Sequence, residues 1–269
     1  MKFLFLIFML SIHSMEAQSI SGIVADEKSK APVDYANIGV IGKNIGTVAD
    51  TNGKYQLELL QEFDNDTLLF SRVGYLPFSI RVADWKKMDH QPVYLKQKVY
   101  QLQEVVIGSQ KYKRRLLGGT AKSKSLRAGF ANNDMGYECG VIMETQKLAV
   151  VKKVNINIAH CTYDTILYRL NVYSVNGEMN FTNVLNRPIY IKLPKDKVAQ
   201  KISIDLTPEH IVVKGNFLVT LEHVKDLGEG ELYFCAGFFG KTYYRKTSQG
   251  EWEYAPMKIG MSVEADLRE

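Results

Sequence analysis

Between Lys54 and Leu60 the chain reads KYQLELL, in which Tyr55, Leu57 and Leu59 alternate with Gln56 and Glu58. A period of two places the apolar side chains on one face of an extended strand and the polar ones on the other. The same style runs through SISGIVAD, YANIGVIG, GTVAD, DTLLFSRV, LPFSIRVA, QPVYLKQ and EVVIG. It resumes with longer runs in VNINIAH, TILYRLNVY, KISIDL, FLVTLEHV, ELYFCAGFF and KIGMSVEA. Turn signals separate many of these runs, among them Lys43-Asn44, Asn52-Gly53 and the expected hairpin link Ser248 to Trp252. Helical periodicity is absent apart from one short turn at Asp84 to Met88. The expected fold is all-β, with two β-sandwich domains: a small antiparallel sandwich over residues 19–108, and a larger antiparallel sandwich or jelly-roll-like domain over 136–269.

The segment KYKRRLLGGTAKSKSLR, Lys111 to Arg127, carries seven basic and no acidic residues around the pair Gly118-Gly119. Residues 109–135 are therefore expected to be a basic linker between the sandwiches, with attraction to an anionic surface or acidic partner as the functional alternative. It has no interleaved aromatics on which bases would stack, so nucleic acid is not an expected partner. At the N-terminus, a lysine followed by the uncharged run Phe3 to Ile12 reads as a signal peptide over residues 1–18, cut near Ala17 or Gln18. No later segment has the length of a membrane span, so the mature chain is expected to be exported and not membrane-spanning, whether periplasmic, outer-membrane-associated or secreted. With 46% apolar residues in 269, packed cores are expected. Cys139, Cys161 and Cys235 are read as small core residues, although one bridge among them stays open.

The first half resembles the carboxypeptidase D regulatory-like domain. The matching elements, in order, are Gly22-Ile23-Val24-Ala25-Asp26, Ala31 to Ile38 (APVDYANI), Gly46 to Tyr55 (GTVADTNGKY), Phe70 to Tyr75 (FSRVGY) and Leu102 to Ile107 (LQEVVI). The resemblance implies a transthyretin-like (prealbumin-like) β-sandwich of a kind common in exported Bacteroidota proteins. It also implies that the Asp50-Thr51-Asn52-Gly53 loop is a strand turn in which Asp50 caps backbone N–H groups rather than holding calcium. Physically, Asn52-Gly53 and Gly74 suit tight bends, and Tyr35, Tyr55 and Phe70 are expected to fill a thin core. Many relatives are extensions of TonB-dependent receptors, but only about 160 residues follow Ile107, so receptor transport is not carried over. The second half is similar to regions that follow this domain in uncharacterised Bacteroidota proteins, a similarity that brings no activity.

Catalytic patterns are scarce. His90, His160, His210 and His223 are scattered without metal-ligand spacing, there is no GxSxG or SxxK, and the carboxylates Asp164, Glu222 and Glu231 could converge only through folding. No catalytic residue, metal or cofactor is therefore expected. The feature that suggests recognition is ELYFCAGFFGKTYYRKTSQGEWEYAP, in which Tyr233, Phe234, Phe238, Phe239, Tyr243, Tyr244, Trp252 and Tyr254 crowd together. About half should be core. Tyr243, Tyr244, Arg245 and Trp252 flank the expected turn and are the candidate ligand platform, for stacking on sugar rings or meeting an acidic group. The expected function is a non-catalytic binding or assembly protein of the cell envelope, with a carbohydrate or an envelope protein as partner. The alternative is a glycan or peptide hydrolase with its site in the C-terminal β-domain, recognisable by a cleft holding two carboxylates or a His–acid pair.

Overall fold

The computed structural model describes residues 17–88, 92–99, 111–198 and 200–269. Residues 1–16 of the expected signal peptide, and the LQEVVI stretch at 102–107, lie outside the described residues. Ala17 and Gln18, expected to end the leader, stand in the first strand opposite Leu60 and Leu59. The architecture is β almost throughout, with 54% of residues in strands and 5% in helix.

The first domain has strands β1 (Ala17–Asp26), β2 (Asn37–Val40), β3 (Gly46–Val48), β4 (Lys54–Leu60), β5 (Thr67–Ser71), β6 (Phe78–Arg81) and β7 (Val93–Leu95), with one helical turn α1 (Val82–Trp85). They make a three-stranded sheet β4-β1-β7 and a four-stranded sheet β3-β2-β5-β6. KYQLELL alternates as its sequence dictates, with Tyr55, Leu57 and Leu59 buried against Ile38, Val40, Leu68, Phe70 and Trp85. Phe70 centres the aromatic packing, its ring 5.1 Å from that of Trp85 and 5.5 Å from that of Tyr55. Tyr35 is not in this core. It sits at φ 51° and turns outward to meet Tyr190 of the second domain edge-on at 5.3 Å.

At the quoted turn, one Asp50 side-chain oxygen accepts from the backbone N–H of Asn52 and of Lys54, each at 2.8 Å, while Gly53 adopts φ +71°. The carboxylate thus completes the hairpin's own backbone.

The second domain contains β8 (Tyr112–Gly118), β9 (Arg127–Phe130), β10 (Glu138–Met143), β11 (Leu148–Cys161), β12 (Thr165–Val175), β13 (Phe181–Asn183), β14 (Ile189–Pro194), β15 (Lys201–Asp205) and β16 (Val212–Lys214). It continues with β17 (Phe217–His223), β18 (Leu232–Gly237), β19 (Thr242–Arg245), β20 (Glu253–Ala255), β21 (Lys258–Ile259) and β22 (Met261–Arg268). One sheet runs β13-β12-β17-β10-β19-β20, with β14 also on β12; the other runs β21-β18-β11-β22-β8, with β15 and β16 on β11 and β9 on β18. Between them lies the main core, including Val141, Ile156, Tyr168, Leu170, Val219, Phe234 and Val263. Cys139 and Cys235 are buried, Cys161 is half-buried, and all three are free thiols.

The basic segment is not a linker. Tyr112 to Gly118 pairs with Arg268 to Ser262 as an edge strand, and Arg127 to Phe130 pairs with Cys235 to Leu232. Charge alone did not forbid this, because an edge strand keeps one side of its backbone free and commonly carries cations that discourage further pairing. Arg114 is fixed there by a two-pronged bond to Asp266 at 2.8 and 3.1 Å, which holds that carboxyl below its ordinary range.

Candidate functional site

The outward face of the seven-stranded sheet carries a buried polar array and a cluster of aromatic side chains. Along β12, alternation sends Tyr168, Leu170 and Val172 into the core and Leu167, Arg169, Asn171 and Tyr173 to the other side. From sequence that second face is expected to be wet. Instead the first domain covers part of it, and the polar side chains there are buried.

Pairing registers align four ionisable residues across four strands. Arg169 on β12 stands opposite Glu222 on β17, Glu222 opposite Glu138 on β10, and Glu138 opposite Arg245 on β19. The order is plus, minus, minus, plus. Two carboxylates directly opposite one another repel, and the flanking arginines offset that repulsion. Arg245 donates to one Glu138 oxygen from Nε at 2.8 Å and from an Nη at 2.7 Å. Arg169 donates to Glu222 from Nε and Nη2 at 3.0 and 2.8 Å. Asn171 bridges the two acids, its amide donating to Glu138 at 2.9 Å and to Glu222 at 2.8 Å. The Tyr173 and Thr220 hydroxyls also donate to Glu138.

The first domain completes this array. Arg169 Nη1 donates to the Tyr35 carbonyl at 2.7 Å, its Nη2 donates to the Asn37 side-chain oxygen, and the Asn37 amide donates to Glu222 at 2.6 Å. The positive φ of Tyr35 lies at the residue whose carbonyl accepts from Arg169. Around the charges lie Tyr35, Val48, Leu167 and Val224, a small apolar seal between the domains. The link between β19 and β20 adds a second clasp. Gln249 donates to the Ser71 hydroxyl at 2.8 Å, and the Gln249 carbonyl accepts from Gly42 N–H at 2.9 Å.

Burial pushes the Glu138 carboxyl up, against Arg245 and with help from Glu222. Burial acts in the same direction on Glu222, but Arg169 and Arg245 outweigh it and hold that group below its ordinary value. A split pair of carboxylates would suit acid–base chemistry if substrate could reach it. Here both are fully enclosed and their oxygens are occupied by guanidinium, amide and hydroxyl donors. Of the other acids considered from sequence, Glu231 lies 3.2 Å from His160 instead of joining Glu222. Two open depressions, of about 450 and 350 Å³, are lined respectively by Lys113, Arg115, Lys147, Leu267 and Glu269, and by residues 18–21 and 85–88. Neither brings two carboxylates together. Among the described residues no cluster of His, Cys, Asp and Glu has the makings of a metal site.

The four candidate platform residues divide between the two faces of β19. Tyr243 lies on the outer face, half-buried, its ring edge-on to Phe181 at 5.8 Å and 6.2 Å from Tyr254. Trp252 returns over the same face, edge-on to Phe181 at 5.1 Å and to Tyr173 at 5.8 Å. Tyr244 points the other way, stacking on Tyr137 at 6.3 Å and donating its hydroxyl to Glu253 at 2.9 Å. Arg245, expected at the surface, is 8% exposed and committed to Glu138, with Trp252 covering its guanidinium at 5.1 Å. It departs from expectation because its neighbour in the register is a buried acid, a fact that no local sequence pattern carries. The shelf that results is Phe181, Tyr243, Trp252 and Tyr254. Phe181, far away in sequence, was missed because its strand is only three residues long.

With this geometry in view, residues 20–107 match the CarboxypepD_reg-like domain family, and the first domain is accordingly a regulatory-like β-sandwich. Residues 136–269 lie outside that match. No curated protein matches the chain. Among solved structures, the major pilin subunit of Bacillus cereus is similar at 8% identity and TM-score 0.18, over 91% of this chain and 69% of that one. At that TM-score the likeness bears on neither fold nor function. Among the described residues no helix is long and apolar enough to cross a membrane.

Proposed function

We propose that the protein is a non-catalytic, exported binding or assembly protein of the cell envelope. In this reading the regulatory-like domain acts as a docked support and the second domain presents the recognition surface. The observation that carries the reading is the half-exposed shelf of Phe181, Tyr243, Trp252 and Tyr254 on a rigid sheet, beside a carboxylate pair enclosed by its own partners. Flat aromatic surfaces held by strands bind sugar rings or apolar partner side chains at little entropic cost, since few rotamers must be frozen. An enzyme of the hydrolase type would instead need such a pair open within a cleft: the two acids that meet here have no open side, and the partly exposed pair His160–Glu231 lines neither depression.

The test pairs pull-down from envelope extracts with glycan-array binding. Tyr243→Ala and Trp252→Ala should each weaken whichever binding the unaltered protein shows by about tenfold or more, as for an aromatic anchor, with the circular dichroism unchanged. Unaltered binding in both variants would rule out the shelf. Turnover of a glycan or peptide that Glu138→Gln abolishes would rule out the non-catalytic reading.

A further inference from the structure

The loop between β18 and β19 holds the most exposed apolar side chains near the shelf, Phe238 at 77% and Phe239 at 94%. Alternation would bury one of two neighbouring phenylalanines in a strand; here both project, because the strand ends at Gly237 and Gly240 turns the chain at φ +116°. Nothing in the fold draws them inward. Isolated exposed apolar residues are ordinary, but two adjacent aromatic rings at a loop tip form a patch.

Cations surround the tip. Lys241 follows it directly, its Nζ 3.9 Å from the centroid of the Tyr254 ring, which is itself 45% exposed. Lys258 on β21, paired through Gly237, lays its stem beside Gly240. The former linker contributes the exposed Lys122 and Lys124, because Ala121 packs beside Gly237 and the Leu126 carbonyl accepts from Ala236. One acid, Glu144, stands 4.0 Å from Lys258 at the edge of the group.

Protein interfaces are typically depleted of lysine, whereas a bilayer interface favours aromatic wedges flanked by lysines whose stems reach back to the headgroups. We infer that the Phe238-Phe239 tip with Lys122, Lys124, Lys241 and Lys258 is a contact site for an anionic lipid surface. The two rings enter the headgroup boundary and the ammonium groups meet lipid phosphates. This goes beyond the shelf reading and does not depend on it, since the phenylalanine variant leaves all four shelf residues and the cation over Tyr254 in place.

The probe is sedimentation with vesicles of phosphatidylcholine containing phosphatidylglycerol, against vesicles of phosphatidylcholine alone. The protein should begin at Ala17, because the apolar run at residues 3–12 would itself partition into lipid. The unaltered protein should bind the anionic vesicles preferentially. Phe238→Ser/Phe239→Ser should lower partitioning about tenfold or more, and Lys122→Glu/Lys241→Glu should abolish the preference for anionic lipid. All four side chains are exposed, so both variants should keep the circular dichroism of the parent. Absence of vesicle binding by the unaltered protein, or undiminished binding by the phenylalanine variant, would overturn the inference. So would capture of an envelope protein that depends on the tip in the absence of lipid binding, which would assign the tip to a protein partner.

Discussion

Arg169→Met tests whether the buried charges join the two domains. Arg169 is 2% exposed and makes four hydrogen bonds, two to Glu222 within its own domain and one each to Tyr35 and Asn37 across the interface. Methionine keeps much of the stem volume and removes every donor. Glu222 then faces Glu138 with Arg245 at 3.8 Å as its remaining cationic neighbour, and the Tyr35 carbonyl and Asn37 side-chain oxygen lose their guanidinium donor. Removing one member of a buried ion pair costs about 3–5 kcal/mol. That corresponds to a fall of about 1–2 M in the urea midpoint at an m-value of about 3 kcal/mol per M. The chain's two tryptophans give an internal assay, since Trp85 lies in the first core and Trp252 on the second domain. In Trp85→Phe and Trp252→Phe backgrounds each half is followed alone. With Arg169 present the two unfolding curves should coincide, as for one cooperative unit. With Arg169→Met they should separate. A midpoint change below about 0.3 M, equivalent to about 1 kcal/mol at that m-value, with coincident curves, would refute the coupling.

One further perturbation probes the same junction and another the core of the second domain beneath it. A methyl group on Gly46 would lie 2.2 Å from the Ser248 carbonyl oxygen, a backbone atom that cannot step aside, so Gly46→Ala should destabilise by about 1–3 kcal/mol; Gly237→Ala, whose new carbon meets only ordinary contact at 3.6 Å, is the neutral control in thermal melts. His223 is fully buried against Phe130 and Tyr168 with neither ring nitrogen hydrogen-bonded, and burial holds it below its ordinary value. The unfolded chain therefore takes up this proton from about pH 6.5 downward while the folded one resists, so stability is complete above that pH and declines as pH falls towards the depressed folded value. Urea midpoints between pH 7 and 5.5 should show the decline and His223→Phe should flatten it; equal slopes in both proteins would refute the assignment.

The parts of the fold legible in sequence were those set by one strand at a time. KYQLELL buries Tyr55, Leu57 and Leu59, TILYRLNVY buries Ile166, Tyr168, Leu170 and Val172, and Asp50 caps its turn. Pairing between distant strands was not legible. Tyr112 to Gly118 looks like a linker because its charges and glycine argue against a buried strand, and they say nothing about an edge. Arg245 looked available because it flanks an expected turn, whereas its neighbours in space are Glu138 and Trp252. Three of the four shelf residues were legible as a local crowd of aromatics in one segment; Phe181 joins it through strand pairing with Val175 on β12, which no window around either residue contains.

The chemistry of the junction also bears on why the aromatic shelf takes this form. An apolar seal of only Tyr35, Val48, Leu167 and Val224 could tolerate small slips, because dispersion contacts have little directional preference. The Arg169, Asn37 and Glu222 bonds do not tolerate slips, since hydrogen bonds between fixed donors and acceptors weaken steeply with lost distance and angle. A buried ionic junction contributes little net stability compared with a well-packed apolar one, and a defined geometry is its better-attested advantage. Trp252 ties that geometry to the shelf, because one ring covers Arg245 of the junction and contacts Phe181 of the open surface. The orientation of the regulatory-like domain and the shape of the shelf are then set by the same charges. Disrupting Arg169 should therefore weaken shelf binding even though Arg169 touches no part of the shelf.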